Sequence, residues 1–367
     1  MLKRIYIHNY RTFVNFEWSP PKACVLVGEN GSGKSSFFEV LGVLGLILLQ
    51  GQSVDDADLR STRTAWLQEQ EQVFTIELEN QGQCFEYRLS HYDENGIGTL
   101  REELSCSGRL IYRSVDGKVD LINESDRLTP RMVIPFDRQR SFIAVIEPQE
   151  NNHEVIEFRK LFRSIWTVQP DPRSFQKISD MEVRGLRGNM SNFVDWYRMR
   201  VGEDLDAALL LRKDLQDTLN GFVSLRLETL SLSVKELRVL FSFGQKTHEI
   251  RWSQLSDGQK LLIALYGLFR LGFNRGSTFV LDEIENYVAP KEIQPFLRKL
   301  LDASAEAGKQ VIVISHHPES INYLAADSIW RMWRDPVGGH TRIAKVEADL
   351  DSGETAYDLV KRGEPDA

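Results

Sequence analysis

Residues 28–35, Gly28-Glu29-Asn30-Gly31-Ser32-Gly33-Lys34-Ser35, are the most informative stretch of this 367-residue chain. They fit G-x-x-x-x-G-K-[ST], a loop whose backbone wraps phosphate groups. Its glycines permit a tight turn that aims N–H groups inward. An apolar run, 23–27 (ACVLV), precedes the loop as a buried strand should. A helix is expected from Lys34, adding the positive end of its dipole. Gly28, Asn30, Gly31 and Gly33 then form the cradle, with Ser36 beside it. Lys34 reaches the β- and γ-phosphates and the Ser35 hydroxyl ligates a metal, which implies ATP and Mg²⁺.

Working outward, the matching half of such a site lies far along the chain. Residues 278–281 (TFVL) read as a buried strand ending in Asp282-Glu283. An aspartate at that strand end can hold Mg²⁺, and Glu283 is placed to polarise the attacking water. Before them comes Leu255-Ser256-Asp257-Gly258-Gln259-Lys260, followed by an apolar helix, LLIALYGLFRL. After them an apolar strand, VIVIS, ends in His316-His317.

The 255–260 segment resembles the LSGGQ signature of ABC ATPases, with Asp257 at a position normally held by glycine. His316 is similar to the switch histidine that senses the γ-phosphate. Phosphate loop, signature, Asp-Glu strand and strand-end histidine occur here in the order the ABC class uses. The resemblance implies that Ser256, Gly258 and Gln259 of one protomer close over the nucleotide of another, giving a homodimer or higher homo-oligomer around ATP. It also implies a glutamine loop at the metal. Gln139, after MVIPF, is the candidate, with Gln149 the alternative.

Within the class, IYIHNYRTFVNF resembles the first strand of RecF and SMC heads, which places Arg11 over the nucleotide or, alternatively, in a surface turn. LDEIENYVAPKEIQPFL resembles the corresponding segment of RecF-like and OLD-like AAA ATPases. Lys34 and Ser256 stand 222 residues apart, too far for a transporter subunit. No sustained heptads lie between them, as SMC coiled coils would require. The pattern is similar to compact ATPases of bacterial defence operons, which work with a nuclease or other toxic effector.

The expected fold is α/β: a P-loop ABC head with a mixed central sheet, flanking helices, an antiparallel β-lobe and a short helical insertion. Residues 1–150 hold the first half of the head, with alternating strands over about 72–122. Residues 151–223 form the helical insertion. Residues 224–367 hold the second half, ending in a strand (HTRIAKVEA) and a short helix.

The net charge of −8 argues against a nucleic-acid coat, so any DNA contact must be local. Between Arg159 and Arg200, however, nine basic residues stand against four acidic ones, interleaved with Phe162, Trp166, Phe175, Phe193, Trp196 and Tyr197. That composition suits nucleic acid, a protein partner, or a helical lobe with an aromatic core. Three cysteines without a CxxC pair suit a reducing cytoplasm. The N-terminus lacks a signal-peptide core, and the longest apolar run, Val40 to Leu49, is too short to cross a bilayer.

Overall fold

The computed structural model describes residues 1–94, 96–122, 133–317, 321–322 and 328–346. The chain opens with β1 (Leu2–His8) and β2 (Phe16–Trp18), the hairpin expected from their alternation. Strand β3 (Ala23–Gly28) leads through the phosphate loop into α1 (Lys34–Gln50). Strands β4 (Gln72–Asn80), β5 (Gln83–Glu94), β6 (Ile97–Cys106), β7 (Arg109–Val115), β8 (Lys118–Leu121) and β9 (Val133–Pro135) follow. With β1 and β2 they form one eight-stranded antiparallel sheet, ordered β2-β1-β4-β5-β6-β7-β8-β9.

Helix α2 (His153–Arg163) runs into β10 (Ile165–Val168). Then come β11 (Ile178–Ser179), α3 (Phe193–Glu203) and α4 (Leu205–Thr218). A hairpin of β12 (Phe222–Thr229) and β13 (Lys235–Phe243) pairs with β11 and with β14 (Lys246–Arg251) as a small separate sheet. Helix α5 (Asp257–Gly267) continues into a π-helical turn, Leu268–Gly272. Strand β15 (Thr278–Asp282), α6 (Pro290–Ala307), β16 (Gln310–Ile314), β17 (Ile329–Arg334) and β18 (Thr341–Val346) complete the described chain. The short helix expected beyond β18 lies outside the described residues.

The central sheet is ordered β10-β15-β16-β3-β17-β18, parallel except for the last pair. Strands β3, β15 and β16 read as near-continuous apolar runs because both faces are covered. Val25, Val27, Leu281 and Val313 point into one core with α3 to α6. Cys24, Leu26, Val280, Ile312 and Ile314 point into the other, with α1 and the antiparallel sheet. The expected helical insertion therefore supplies a core strand, β10, whose four residues were too short a run to interrupt the helical pattern around them.

Two buried polar groups fasten these elements together, one within the helical layer and one between the sheets. The Asp214 carboxylate of α4 accepts from Arg270 of the π turn (3.0 Å) and Lys299 of α6 (2.8 Å). The Gln310 side chain at the start of β16 accepts from Leu2 N–H (2.9 Å) and Thr278 Oγ1 (3.0 Å), and donates to the Leu2 and Pro21 carbonyls (2.9 and 3.0 Å). It thus stitches the antiparallel sheet to the parallel one. Gln310→Leu fits the space but strands these groups without water, at about 1–3 kcal/mol for each buried group left unpaired. Urea unfolding should show a loss of at least about 2 kcal/mol; a loss below about 0.5 kcal/mol would remove Gln310 from this role.

Candidate nucleotide site

The phosphate loop sits where an open α/β sheet puts a ligand, outside the carboxyl ends of its strands. A side chain at Gly28 would place its Cβ 2.3 Å from the Met332 carbonyl oxygen. Gly33 has φ +110°, and a Cβ there would meet Thr341 Oγ1 at 2.6 Å. Both glycines are thus required by close approach as well as by turn geometry. Helix α1 begins with no side-chain cap and no acid in its first turn, so its N–H groups are left for an anion. Lys34 is 7% exposed, and its ammonium donates to the carbonyls of Gly28 (2.6 Å) and Glu29 (3.0 Å). Burial lowers its pKa against the opposing pull of Glu283 and Asp282.

A cavity of about 470 Å³ opens over this loop. Arg11, Asn30, Gly31, Gly33, Lys34, Ser35, Ser36 and Glu283 all border it, so two ends of the sequence meet there. Arg11 stands in the left-handed region (φ 52°), 3.5 Å from the Glu39 carboxylate of α1.

Asp282 is 1% exposed, with Oδ2 accepting from Gln169 Nε2 (2.9 Å) and Oδ1 buried without a partner. Burial, reinforced by the Glu283 charge, pushes its carboxyl up to about 7. A buried carboxylate oxygen with no donor suits a cation, and Ser35 lines the same cavity. Glu283 takes a left-handed backbone conformation (φ 49°), unusual for a residue with a side chain. Its N–H donates to the Ile314 carbonyl (3.0 Å), its Oε1 lies 3.2 Å from His316 Nδ1, and Asn286 Nδ2 donates to its Oε2 (2.9 Å). Ser315, beside that histidine, hydrogen-bonds the buried Glu285 carboxyl, which ties the two strand ends together.

Gln139 does not reach this cluster. It donates to Asp55 (2.7 Å), because it follows β9 on the antiparallel sheet. Gln149 caps the turn ahead of α2 through Asn152 (2.9 Å). The glutamine that reaches Asp282 is Gln169, because it follows β10, the strand paired with β15. Its sequence signal was the short run IWTV closed by Gln169-Pro170.

The signature segment starts α5 with Ser256 as N-cap. Gln259 N–H donates to Ser256 Oγ (3.2 Å) and Gln259 Oε1 accepts from Ser256 N–H (3.1 Å), so the Gln259 side chain serves the cap. A Cβ at Gly258 would meet the Tyr287 carbonyl at 2.7 Å, which ties the signature to the segment after Glu283. None of Ser256, Gly258 and Gln259 lines the cavity within this chain.

The basic aromatic segment resolves into core. Phe175, Phe193, Trp196 and Tyr197 are buried in one core with Trp166 packed against it, and Phe162 is buried in the other. Arg159 donates to three carbonyls, Arg198 to the Ser233 carbonyl, and Arg200 pairs with Glu203. No base could stack on those rings without unfolding the lobe.

A phosphate loop on a mixed sheet, an Asp-Glu strand end, a strand-end histidine and a capped signature helix together define an ABC-type ATPase head. Residues 24–322 match the family described as "AAA domain, putative AbiEii toxin, Type IV TA system", and the chain belongs to that family. It is an SMC- and RecF-like AAA ATPase. Among solved structures it is similar to an SMC head bound to the C-terminal winged-helix domain of ScpA (TM-score 0.59, 18% identity, covering 96% of this chain and 99% of that one). It is also similar to an SMC head with an extended coiled coil, bound to the C-terminal domain of ScpA derived from Pyrococcus furiosus (TM-score 0.55, 16% identity, 96% and 97% covered). No curated protein matches it significantly. Among the described residues no helix is long and apolar enough to cross a membrane.

The Asp282 carboxyl gives a pH test. An acid held high in the fold ionises first in the unfolded chain, so the ligand-free fold loses stability as pH rises from 3.8 toward about 7. Asp282→Asn keeps the Gln169 contact and removes that loss. Its melting temperature should match the native one near pH 4 and rise above it progressively up to pH 7. His91, which burial holds down to about 4, contributes an opposite slope to both chains and cancels in the difference. A difference that stays flat with pH contradicts a carboxyl held high by burial at 282.

Proposed function

We propose that the protein binds and hydrolyses Mg·ATP between two copies of itself, and that the closed and open shapes control a partner effector in cytoplasmic anti-phage defence. The observation that carries the sandwich is the division of the site. Lys34, Ser35 and Glu283 border the cavity, while Ser256 is exposed at the start of α5 and away from it. A second copy completes the site by bringing its own Ser256 and Gly258 to the cavity mouth. The toxin–antitoxin description of the family and the ScpA-bound state of the SMC heads support a protein partner.

Ser35 and Asp282 are the residues suited to hold Mg²⁺, with Gln169 steadying Asp282. Bound there, the ion neutralises charge between the phosphates. Lys34 exchanges its two loop carbonyls for phosphate oxygens. Glu283 orients the attacking water and accepts its proton at a carboxylate oxygen, while His316 and Asn286 hold that carboxylate in place. Loss of the γ-phosphate removes what the two protomers share, and the dimer opens.

Glu283→Gln keeps the side chain's shape and loses its basicity. Turnover should fall by about 10²–10⁴-fold, and an ATP-bound dimer that retains its partner should accumulate. Native turnover would remove Glu283 from the chemistry. A dead variant with unchanged assembly would sink the switch and leave a static ATP-binding scaffold.

Ser256→Arg places a bulky cation at the shared face. Each monomer should still bind ATP, and light scattering should show no ATP-induced dimer. A dimer that persists contradicts the sandwich.

A further inference from the structure

Strand β18 reaches the phosphate loop through one side chain. Thr341, the first residue of that strand, is 1% exposed. Its Oγ1 donates to the Ser32 carbonyl (2.9 Å) and so accepts from Thr12 Oγ1 (2.6 Å), since a hydroxyl carries a single proton. The Thr341 N–H also donates to the Thr12 carbonyl (2.8 Å). One buried hydroxyl thus joins the loop, the last described strand and the segment that carries Arg11.

The carbonyl it holds decides what the loop presents to a ligand. The peptide between Ser32 and Gly33 is trans and planar, so its C=O and N–H point opposite ways. Fixing the Ser32 carbonyl on Thr341 aims the Gly33 N–H away from that hydroxyl. Gly33 borders the cavity, and Ser32 does not line it. Without the bond little opposes a turn-over of this peptide, because Gly33 has no Cβ and sits at φ +110°. The turned-over form would show the phosphates a carbonyl oxygen in place of a donor.

We propose that Thr341 is a positioning residue for the nucleotide. Its hydroxyl locks the Ser32–Gly33 peptide with the N–H toward the phosphate chain, and it sets the Arg11 segment at a fixed distance from the loop. The proposal rests on the phosphate-loop reading and adds to it a residue that touches no ligand. The cradle is then ready before the anion arrives, and binding does not have to reorganise it.

Thr341→Val removes the hydroxyl at nearly constant volume, and Thr341→Ser keeps it. In calorimetric titration with Mg·ATP, the valine variant should bind about five- to tenfold more weakly, the net effect of roughly one hydrogen bond. The serine variant should return to within about twofold of native. Hydrogen exchange of the ligand-free protein, read by mass spectrometry, should quicken over residues 28–36 and 9–14 in Thr341→Val. Thr12→Val breaks only the link to the Arg11 segment, so it should quicken 9–14 and leave 28–36 near native. Native ATP affinity in Thr341→Val, native exchange over its loop, or a serine variant no better than valine overturns the lock. Lys34→Ala should weaken ATP tenfold or more. If it does not, the phosphate-loop reading fails instead, and the exchange measurement alone decides the role of Thr341.

Discussion

Strand β3 is hydrogen-bonded on both edges, to β16 and to β17, and the rest of the molecule is arranged around that pairing. A central strand must satisfy its N–H and C=O groups on each side, and here both partners come from nearly three hundred residues downstream. The phosphate loop leaves the carboxyl end of β3, and Asp282 ends β15 one strand beyond β16. The site therefore exists only when the two ends of the chain have met. Because closure entropy rises slowly with loop length, the long segment between them costs little more than a short one would. Both lobes are accommodated in that interval.

Charge is the second constraint. Asp282 and Glu283 stand side by side, and Lys34, whose charge acts on both, spends its hydrogen bonds on the carbonyls of its own loop. A partnerless Asp282 oxygen, a lysine held by weak acceptors and a strained Glu283 backbone all favour the arrival of a divalent cation with a phosphate chain. The Glu285–Ser315 tie keeps His316 beside Glu283, so the Glu283 carboxylate keeps its geometry without ligand.

The helical lobe couples the signature to this centre. Asp214 binds Arg270 and Lys299, which fastens α4 to the π turn of α5 and to α6. Gly258 rests on the backbone at Tyr287, four residues after Glu283. A change at the carboxylates is thus one packed contact from the start of the signature helix. Aromatic residues fill the lobe's interior, and that rigidity suits a body that moves as a unit.

What the sequence by itself determined were the features written in consecutive residues. The phosphate loop, the capped signature helix, the Asp282-Glu283 strand end and the alternating strands of the antiparallel lobe each have a local period or turn chemistry. Their signal survives without the fold. Only the tertiary structure decided which glutamine meets Asp282, because Gln169 and Asp282 touch across paired strands 113 residues apart. It likewise decided that the aromatics of residues 162–197 are core, since composition does not say which way a ring points. Thr341 meets Ser32 from the opposite end of the chain, and no local pattern marks it. Such pairs are set by strand order and packing, which act through space, whereas a motif is set by the bonds along the chain.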